Sequence, residues 1–491
     1  MSDRELTNVA DSIARHARER PWAVAIIDST GVIHYRTFDA LVWAAAWHLR
    51  NAGVRPGDVV GLALPHSALY LVAVYALARM GAGSVALPPS DPKPLREALA
   101  RRFGVKSVVA LSDHAGPHDL PTVRIGVADL KQAPATPQSE LRAAGGGAIW
   151  NIRRTSGTTG EPKGIARSHR DSLDIYRVQA AYFPKPNHRT LIVLDMATTF
   201  GMSVAERGFY GGSTVVVADL PANAADFLSM IDRYGVTHIS LTSNYLSALL
   251  PHLPADGCRC PGLVNVLVSG MALNEPLRAE IARRFTPNLT NLYGSNETQA
   301  MTMADRTVQQ SHPGSVGRAY PGVELQIVDD QDNPVPPGAP GHIRARASWM
   351  PSGYVNAPDA ASRNFRDGWI YVGDIGVLTA EGLLFLRGRA DDMMNYDGIK
   401  ILPVDIEDAL LAHPAVVEAV AFPVMSNIHQ NLPAAAVILR QPVSAEDLLG
   451  HCRARLGVRS PVYISIEQSF PRNSGGKVLR TELAARLSEK T

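Results

Sequence analysis

Residues 155–164 read Thr155-Ser156-Gly157-Thr158-Thr159-Gly160-Glu161-Pro162-Lys163-Gly164, a run that crowds four hydroxyls, three glycines and one lysine together. Glycines let backbone N–H groups curl around an anion, the hydroxyls donate further hydrogen bonds, and the lysine adds a point charge. The stretch reads as a cradle for phosphate or triphosphate. It differs from the GxxxxGK[ST] loop, because Pro162 stands at that motif's second glycine and Gly164 follows the lysine. A plain surface turn needs neither the adjacent hydroxyls nor the cation. Lysine is scarce in this chain, eight against 40 arginines, yet Lys163, Lys400 and Lys477 all fall in segments distinguished below.

Around the cradle, short apolar, β-branched runs bounded by Gly, Pro or Asp recur at 59–64, 107–111, 190–194, 214–218, 238–241 and 264–269. Helix-patterned stretches such as 69–80 and 276–285 lie between them. This alternation predicts an α/β fold with largely parallel, buried sheets. Residues 315–354 change to short strands joined by Pro/Gly turns, a small β-rich subdomain. Past Gly388-Arg389-Ala390-Asp391-Asp392 the pattern resets: helix at 404–412, strands at 416–422 and 434–439, then a helix opened by the capping pair Ser444 and Asp447. The expected division is a large N-terminal domain, 1–388, and a small α+β C-terminal domain, 389–491.

A length of 491 residues suits two to four domains and a full enzyme core. The formal charge of +2 gives no field to recruit nucleic acid or an anionic membrane, so a bound anion needs a local site. Cys258, Cys260 and Cys452 have neither CxxC spacing nor a histidine cluster, and read as reduced structural thiols. The N-terminal residues lack the apolar core of a secretory signal. The longest apolar run, 68–78, is half a membrane span and is followed by Arg79, so a cytoplasmic protein is expected.

Three further segments carry chemistry. Asn291-Leu292-Tyr293-Gly294-Ser295-Asn296-Glu297 offers a ring able to stack on a nucleobase and a carboxylate able to hold Mg²⁺ against phosphates; taken alone, such a segment is more often a packed strand end. Asp374, after a strand-like run, could accept hydrogen bonds from two ribose hydroxyls, although a lone Gly-Asp is usually a turn. Pro471-Arg472-Asn473-Ser474-Gly475-Gly476-Lys477 is a second glycine-rich loop that presents a lysine, suited to neutralising charge that develops in a transition state.

Taken in order, these segments resemble the adenylate-forming superfamily of acyl- and aryl-CoA synthetases, nonribosomal peptide adenylation domains and firefly luciferase. The resemblance runs from residues 80–88 to Lys477 and includes Gly314-Ser315-Val316-Gly317, Ser352-Gly353-Tyr354 and Gly388 to Asp392. It implies that Thr155, Ser156, Gly157, Thr158, Thr159 and Gly160 hold ATP phosphates with Lys163. Tyr293 and Gly294 would line adenine, Glu297 would bind Mg²⁺, and Asp374 and Arg389 would take the ribose. Lys477 would reach the carboxylate and the α-phosphate, Asp391 would be the hinge on which a mobile C-terminal domain turns, and Gly398 would line the thiol channel. The implied reaction joins a small-molecule carboxylic acid to AMP, releases pyrophosphate, and passes the acyl group to a thiol, either CoA or the phosphopantetheine of a separate carrier protein.

Departures from the family pattern bear on the substrate. Asn296 replaces a threonine, His342 replaces a frequent glutamate, and Thr198 stands where amino-acid-activating members place an aspartate, with Asp195 three residues earlier. Burying an ammonium without a carboxylate costs several kcal/mol, so a standard α-amino acid is disfavoured. The expected pocket walls are Thr198, Phe200, Asn244, Ser269, Met271 and Met301, some of them packing the core, a lining suited to an aryl or short-to-medium acyl acid. Asp171-Ser172-Leu173 looks like a pantetheine attachment site by coincidence. The alternatives are an adenylation enzyme for an unusual amino acid, a ligase with a non-thiol acceptor, and a silent nucleotide- or acyl-binding protein. The last should lack one of Lys163, Glu297, Asp374, Arg389 or Lys477, and all five are present.

Overall fold

The computed structural model describes residues 6–112, 120–126, 129–130, 145–155, 163–221, 223–396, 399–426, 430–472 and 478–488. Contacts divide the chain into one unit of residues 1–325 and 345–370 and a second of 326–344 and 371–491. The expected boundary after residue 388 falls inside the second unit, near the end of strand Leu384–Arg389, whose final residue pairs with Asp374.

In the first unit, β-branched runs form strands because both of their faces are covered. Thr214–Val217 and His238–Leu241 are buried along their whole length. Among the described residues they belong to a nine-stranded sheet in which Val24–Asp28, Thr214–Val217, Arg189–Ile192, His238–Leu241, Asn265–Val268 and Leu289–Ser295 mark the run of parallel neighbours. A six-stranded sheet runs in the order Thr122–Arg124, Val105–Ala110, Val59–Ala63, Gly83–Ala86, Ile149–Thr155, Lys163–Ser168. Only its last pair is antiparallel. The long apolar run is the helix Ala68–Met80, which buries nearly every side chain. Among the described residues no helix is long and apolar enough to cross a membrane.

In the second unit, Val416–Ser426 pairs antiparallel with Gln430–Leu439, which also takes Tyr463–Ile466 in parallel. Helices Pro403–Leu411 and Ala445–Leu456 supply Ile406, Leu410, Leu448 and Cys452 to a core with Val437 and Ile464. Burial pushes the Cys452 thiol up to about 11, and Cys260 likewise, so both behave as small apolar groups. The expected cap forms: Ser444 Oγ accepts from Asp447 N at 3.1 Å.

Two stability outcomes follow. Ser444→Ala removes the acceptor for an end-of-helix N–H and should cost about 1 kcal/mol, read from urea unfolding of the C-terminal transition. His169 is fully buried, its Nδ1 accepts from Val9 N at 3.3 Å, and burial pulls its pKa down to about 4. The unfolded chain therefore takes up this proton first. The contribution of neutral His169 is complete above the ordinary histidine value and is lost as pH falls from about 6.5 towards 4. His238 adds in the same direction. Urea midpoints should fall across that window, and His169→Asn should flatten the fall.

Candidate active site

Strands Ile149–Thr155 and Lys163–Ser168 pair in a register that sets Thr155 opposite Lys163. The cradle residues Ser156, Gly157, Thr158, Thr159 and Gly160 lie outside the described residues, so the hairpin's two ends define where the cradle starts and stops. Thr155 is buried and Lys163 is half-buried. Lys163 Nζ stands 5.0 Å from the centroid of the Tyr354 ring. The Tyr354 hydroxyl donates to Glu297 Oε1 at 2.7 Å and accepts from Asn364 Nδ2 at 3.3 Å. One tyrosine thus links the cradle's cation to the carboxylate expected to bind metal.

Glu297 sits in the turn between Leu289–Ser295 and Gln299–Ala304. Only glycine fits at position 294, because a Cβ there would lie 1.7 Å from the Gln299 carbonyl oxygen. Gln299 itself has φ +60°, a left-handed conformation that costs a non-glycine residue energy. Thr298 Oγ1 accepts from Ser295 N at 3.0 Å and closes the turn. Asn296, the departure from threonine, donates from Nδ2 to Arg154 O at 2.9 Å, fastening the turn to the strand before the cradle. Tyr293 is half-buried beside it.

Among the described residues no cluster of three His, Cys, Asp or Glu could enclose a metal. Glu297 stands as a single carboxylate, and its Oε2 has no partner among those residues. That donor set fits Mg²⁺, which is held by one or two carboxylates together with substrate phosphates.

The second unit holds the other nucleotide candidates. Arg389 Nη1 donates to Asp374 Oδ1 at 3.1 Å and to Val372 O at 2.9 Å. Gly373, at φ +78°, lets the guanidinium come within 2.9 Å of where a Cβ would stand. Asp391 is exposed, with Oδ2 3.6 Å from Arg389 Nη2. Gly398 and Lys477 lie outside the described residues. Arg472 and Val478 form a bridge on either side of the lysine loop.

Of the expected pocket walls, Thr198 is the N-cap of helix Thr199–Gly211. Its hydroxyl donates to Asp195 O at 2.7 Å and accepts from Gly201 N at 3.1 Å. The Asp195 carboxylate is exposed and accepts from Ala197 N at 2.8 Å. Phe200, Asn244, Ser269 and Met271 are half-buried, whereas Met301 has no exposed surface. Ser172 is buried and its hydroxyl accepts from Trp150 Nε1 at 2.9 Å, which closes it to pantetheine. His342 lies on the surface 3.1 Å from Asp330.

Sequence reasoning missed a buried polar group behind this site. Arg153 Nη2 pairs with Glu206 Oε1 at 2.5 Å, both side chains 4% exposed. Tyr176 OH donates to Glu206 Oε2 at 2.6 Å. Arg167, wholly buried, donates to the carbonyls of Trp349, Asn296 and Glu297. The available signal was Arg153-Arg154, two guanidiniums in a strand otherwise reading Ile149-Trp150-Asn151-Ile152.

The profile of the AMP-binding enzyme family matches residues 13–355, and that of the AMP-binding enzyme C-terminal domain matches residues 405–477. The chain belongs to the AMP-binding enzymes, within the adenylate-forming superfamily of acyl- and aryl-CoA ligases. It is 28% identical over 490 residues to the 2-succinylbenzoate–CoA ligase of Bacillus subtilis, covering 97% of this chain and 98% of that one. It is 26% identical over 524 residues to the oxalate–CoA ligase of Arabidopsis thaliana, covering 100% of both. The structure of o-succinylbenzoate CoA synthetase from Bacillus subtilis in complex with its acyl-adenylate intermediate superposes with a TM-score of 0.83 at 26% identity, covering 97% and 98% of the two chains.

Glu206→Gln leaves the Arg153 charge buried and uncompensated, and should cost about 3–5 kcal/mol in urea unfolding. Glu418→Gln, which removes the carboxylate that partners partly exposed Arg472, should cost only about 0–1 kcal/mol.

Proposed function

We propose that this enzyme activates a carboxylic acid with ATP and passes the acyl group to the thiol of CoA. The observation that carries the reading is the Lys163–Tyr354–Glu297 chain at the mouth of the 149–168 hairpin, a cation and a carboxylate held together where a polyphosphate cradle begins and ends.

In the first step an oxygen of the acid attacks the α-phosphorus and the bond to pyrophosphate breaks, leaving acyl-AMP. Thr155, Ser156, Gly157, Thr158, Thr159, Gly160 and Lys163 hold the departing phosphates, and Glu297 holds Mg²⁺, which neutralises phosphate charge when bound. Tyr293 and Gly294 flank adenine. Asp374 accepts from the ribose hydroxyls while Arg389 holds its carboxylate in place. Lys477 meets the charge that develops between acid and α-phosphate; the chemistry needs positioning and neutralisation rather than a covalent enzyme intermediate. In the second step the thiol gives up its proton, attacks the acyl carbon, and AMP departs. Rotation about Asp391 would withdraw Lys477 and bring Gly398 to the thiol's path.

Phe200, Asn244, Ser269 and Met271 suit an aryl or short-to-medium acid. The relatives acting on 2-succinylbenzoate and oxalate support that class. Thr198 and Asp195 offer no buried carboxylate for an α-ammonium. Free ATP and CoA as co-substrates fit a cytoplasmic enzyme.

The test is pyrophosphate release against a panel of aryl, aliphatic and amino acids, with and without CoA, with products identified by mass spectrometry. The reading expects acyl-AMP from one acid class and its CoA thioester when CoA is added. Adenylate untouched by CoA but consumed by a carrier-protein thiol would move the acceptor, and no turnover with any acid would overturn the reading. Lys477→Ala should slow acyl-AMP formation about 10²- to 10³-fold, or 3–4 kcal/mol; formation at the wild-type rate would remove Lys477 from the mechanism.

A further inference from the structure

Behind the Glu297 turn lies a small cavity of about 30 Å³, whose lining includes Arg153, Arg167, Gln179, Glu206, Arg207 and Gln299. Two of the cavity's walls stand on elements that carry candidate site residues. Gln299 follows Glu297 by two residues and donates from Nε2 to Asn296 O at 3.3 Å. Ser203, on the helix that Thr198 caps, donates to Phe200 O at 2.8 Å. Arg167, another wall, donates to Glu297 O at 3.1 Å, so the cavity abuts the turn that carries Glu297.

The chemistry of the lining is lopsided. Both oxygens of Glu206 are taken, one by Arg153 and one by Tyr176. Against them stand three N–H groups that are buried without a hydrogen-bond partner among the described residues: Arg167 Nε, Gln179 Nε2 and Arg207 Nη2. Arg167 is 1% and Gln179 4% exposed. The lining carries three guanidiniums and one carboxylate, so two positive charges are left over. Burial, with Arg153 beside it, pulls Arg167 down to about 10 although Asp171, Glu206 and Glu297 pull the other way, and burial lowers Arg207 too. Water would bring donors as well as acceptors to a cavity whose deficit is in acceptors. A carboxylate brings about four lone-pair sites and a negative charge, and no donor.

We propose that the acid activated by this enzyme carries a second carboxylate at its far end, received by Gln179, Arg207 and Arg167. The inference rests on the acid-activating reading and narrows it to dicarboxylic acids of short or aryl skeleton. Gln179 and Arg207 are specificity residues in this assignment, and Arg167 serves both the second carboxylate and the Glu297 turn.

The experiment measures pyrophosphate release for matched pairs that share a skeleton and differ only in the terminal carboxylate: butyrate with succinate and glutarate, benzoate with phthalate, and phenylbutyrate with its ortho-carboxylated analogue. The wild-type enzyme should prefer the diacid of at least one pair by about 10²-fold in kcat/KM, because an analogue without the second carboxylate leaves the buried donors unpaired. Arg207→Met should lower that preference ratio tenfold or more, Arg207→Lys should recover part of it, and Gln179→Leu should lower it without shifting the urea midpoint downward. Turnover of monoacids with no gain from a second carboxylate, or variants that slow both members of a pair equally, would overturn this inference and leave the ligase reading standing. Pyrophosphate release from no acid at all would overturn both.

Discussion

Arg167 is a full charge with 1% of its surface exposed, and its hydrogen bonds all go to main-chain carbonyls: Trp349 at 3.1 Å, Asn296 at 2.9 Å and Glu297 at 3.1 Å. Burying a guanidinium is costly, and three charge-assisted hydrogen bonds offset the cost while fixing the direction of each carbonyl. The consequence reaches the chemistry. Arg167 belongs to the strand Lys163–Ser168, so the segment that begins with the cradle's lysine also grips the turn that carries Glu297. The separation of cation and carboxylate is set by a strand of six residues and not by a loop, and Tyr354 bridges the pair from the side.

The sheets explain why so many candidates fall at strand ends. Thr155 ends Ile149–Thr155, Tyr293 and Gly294 close Leu289–Ser295, Ser269 follows Asn265–Val268, and Asn244 lies just past His238–Leu241. Each stands towards the carboxyl end of a strand with at least one parallel neighbour, the edge at which open α/β sheets present their ligands. The buried strand interiors supply rigidity, and the varied residues gather where the strands stop. Gly294 and left-handed Gln299 show the local cost of that arrangement, a turn too tight for any side chain at one position and strained at the other.

Features set by nearby residues were legible in the sequence. The strands at 59–63, 214–217 and 238–241 and the helix at 68–80 fall within a residue or two of their apolar runs, and the Ser444 cap forms as its spacing predicts. Periodicity and capping act over a handful of positions, so one chain suffices to read them. The missed group depends on distance in sequence: Arg153 meets a carboxylate 53 positions away, and Arg167 meets carbonyls 129, 130 and 182 positions away. No spacing rule joins such residues, and two adjacent arginines in an apolar strand announce only that some buried anion or carbonyl exists. Thr198 shows the opposite difficulty. The sequence reading makes it a pocket wall, whereas its hydroxyl is committed to capping the helix, a role that the same residue type serves equally well.

The buried polar group also separates into two halves by how completely it is satisfied. Glu206 is fully partnered by Arg153 and Tyr176, and Arg153 donates further to Asn151 and Gln299, as in structural networks. Arg167 Nε, Gln179 Nε2 and Arg207 Nη2 are buried beside them with no acceptor among the described residues. Each such donor costs about 1–3 kcal/mol of stability. An apolar replacement at Gln179 or Arg207 would remove that penalty without disturbing the completed half, so a role in stability does not account for these side chains. A binding site has the opposite requirement: its donors must be unpaired before the ligand arrives, and the stability they withhold from the free enzyme becomes discrimination when the ligand binds.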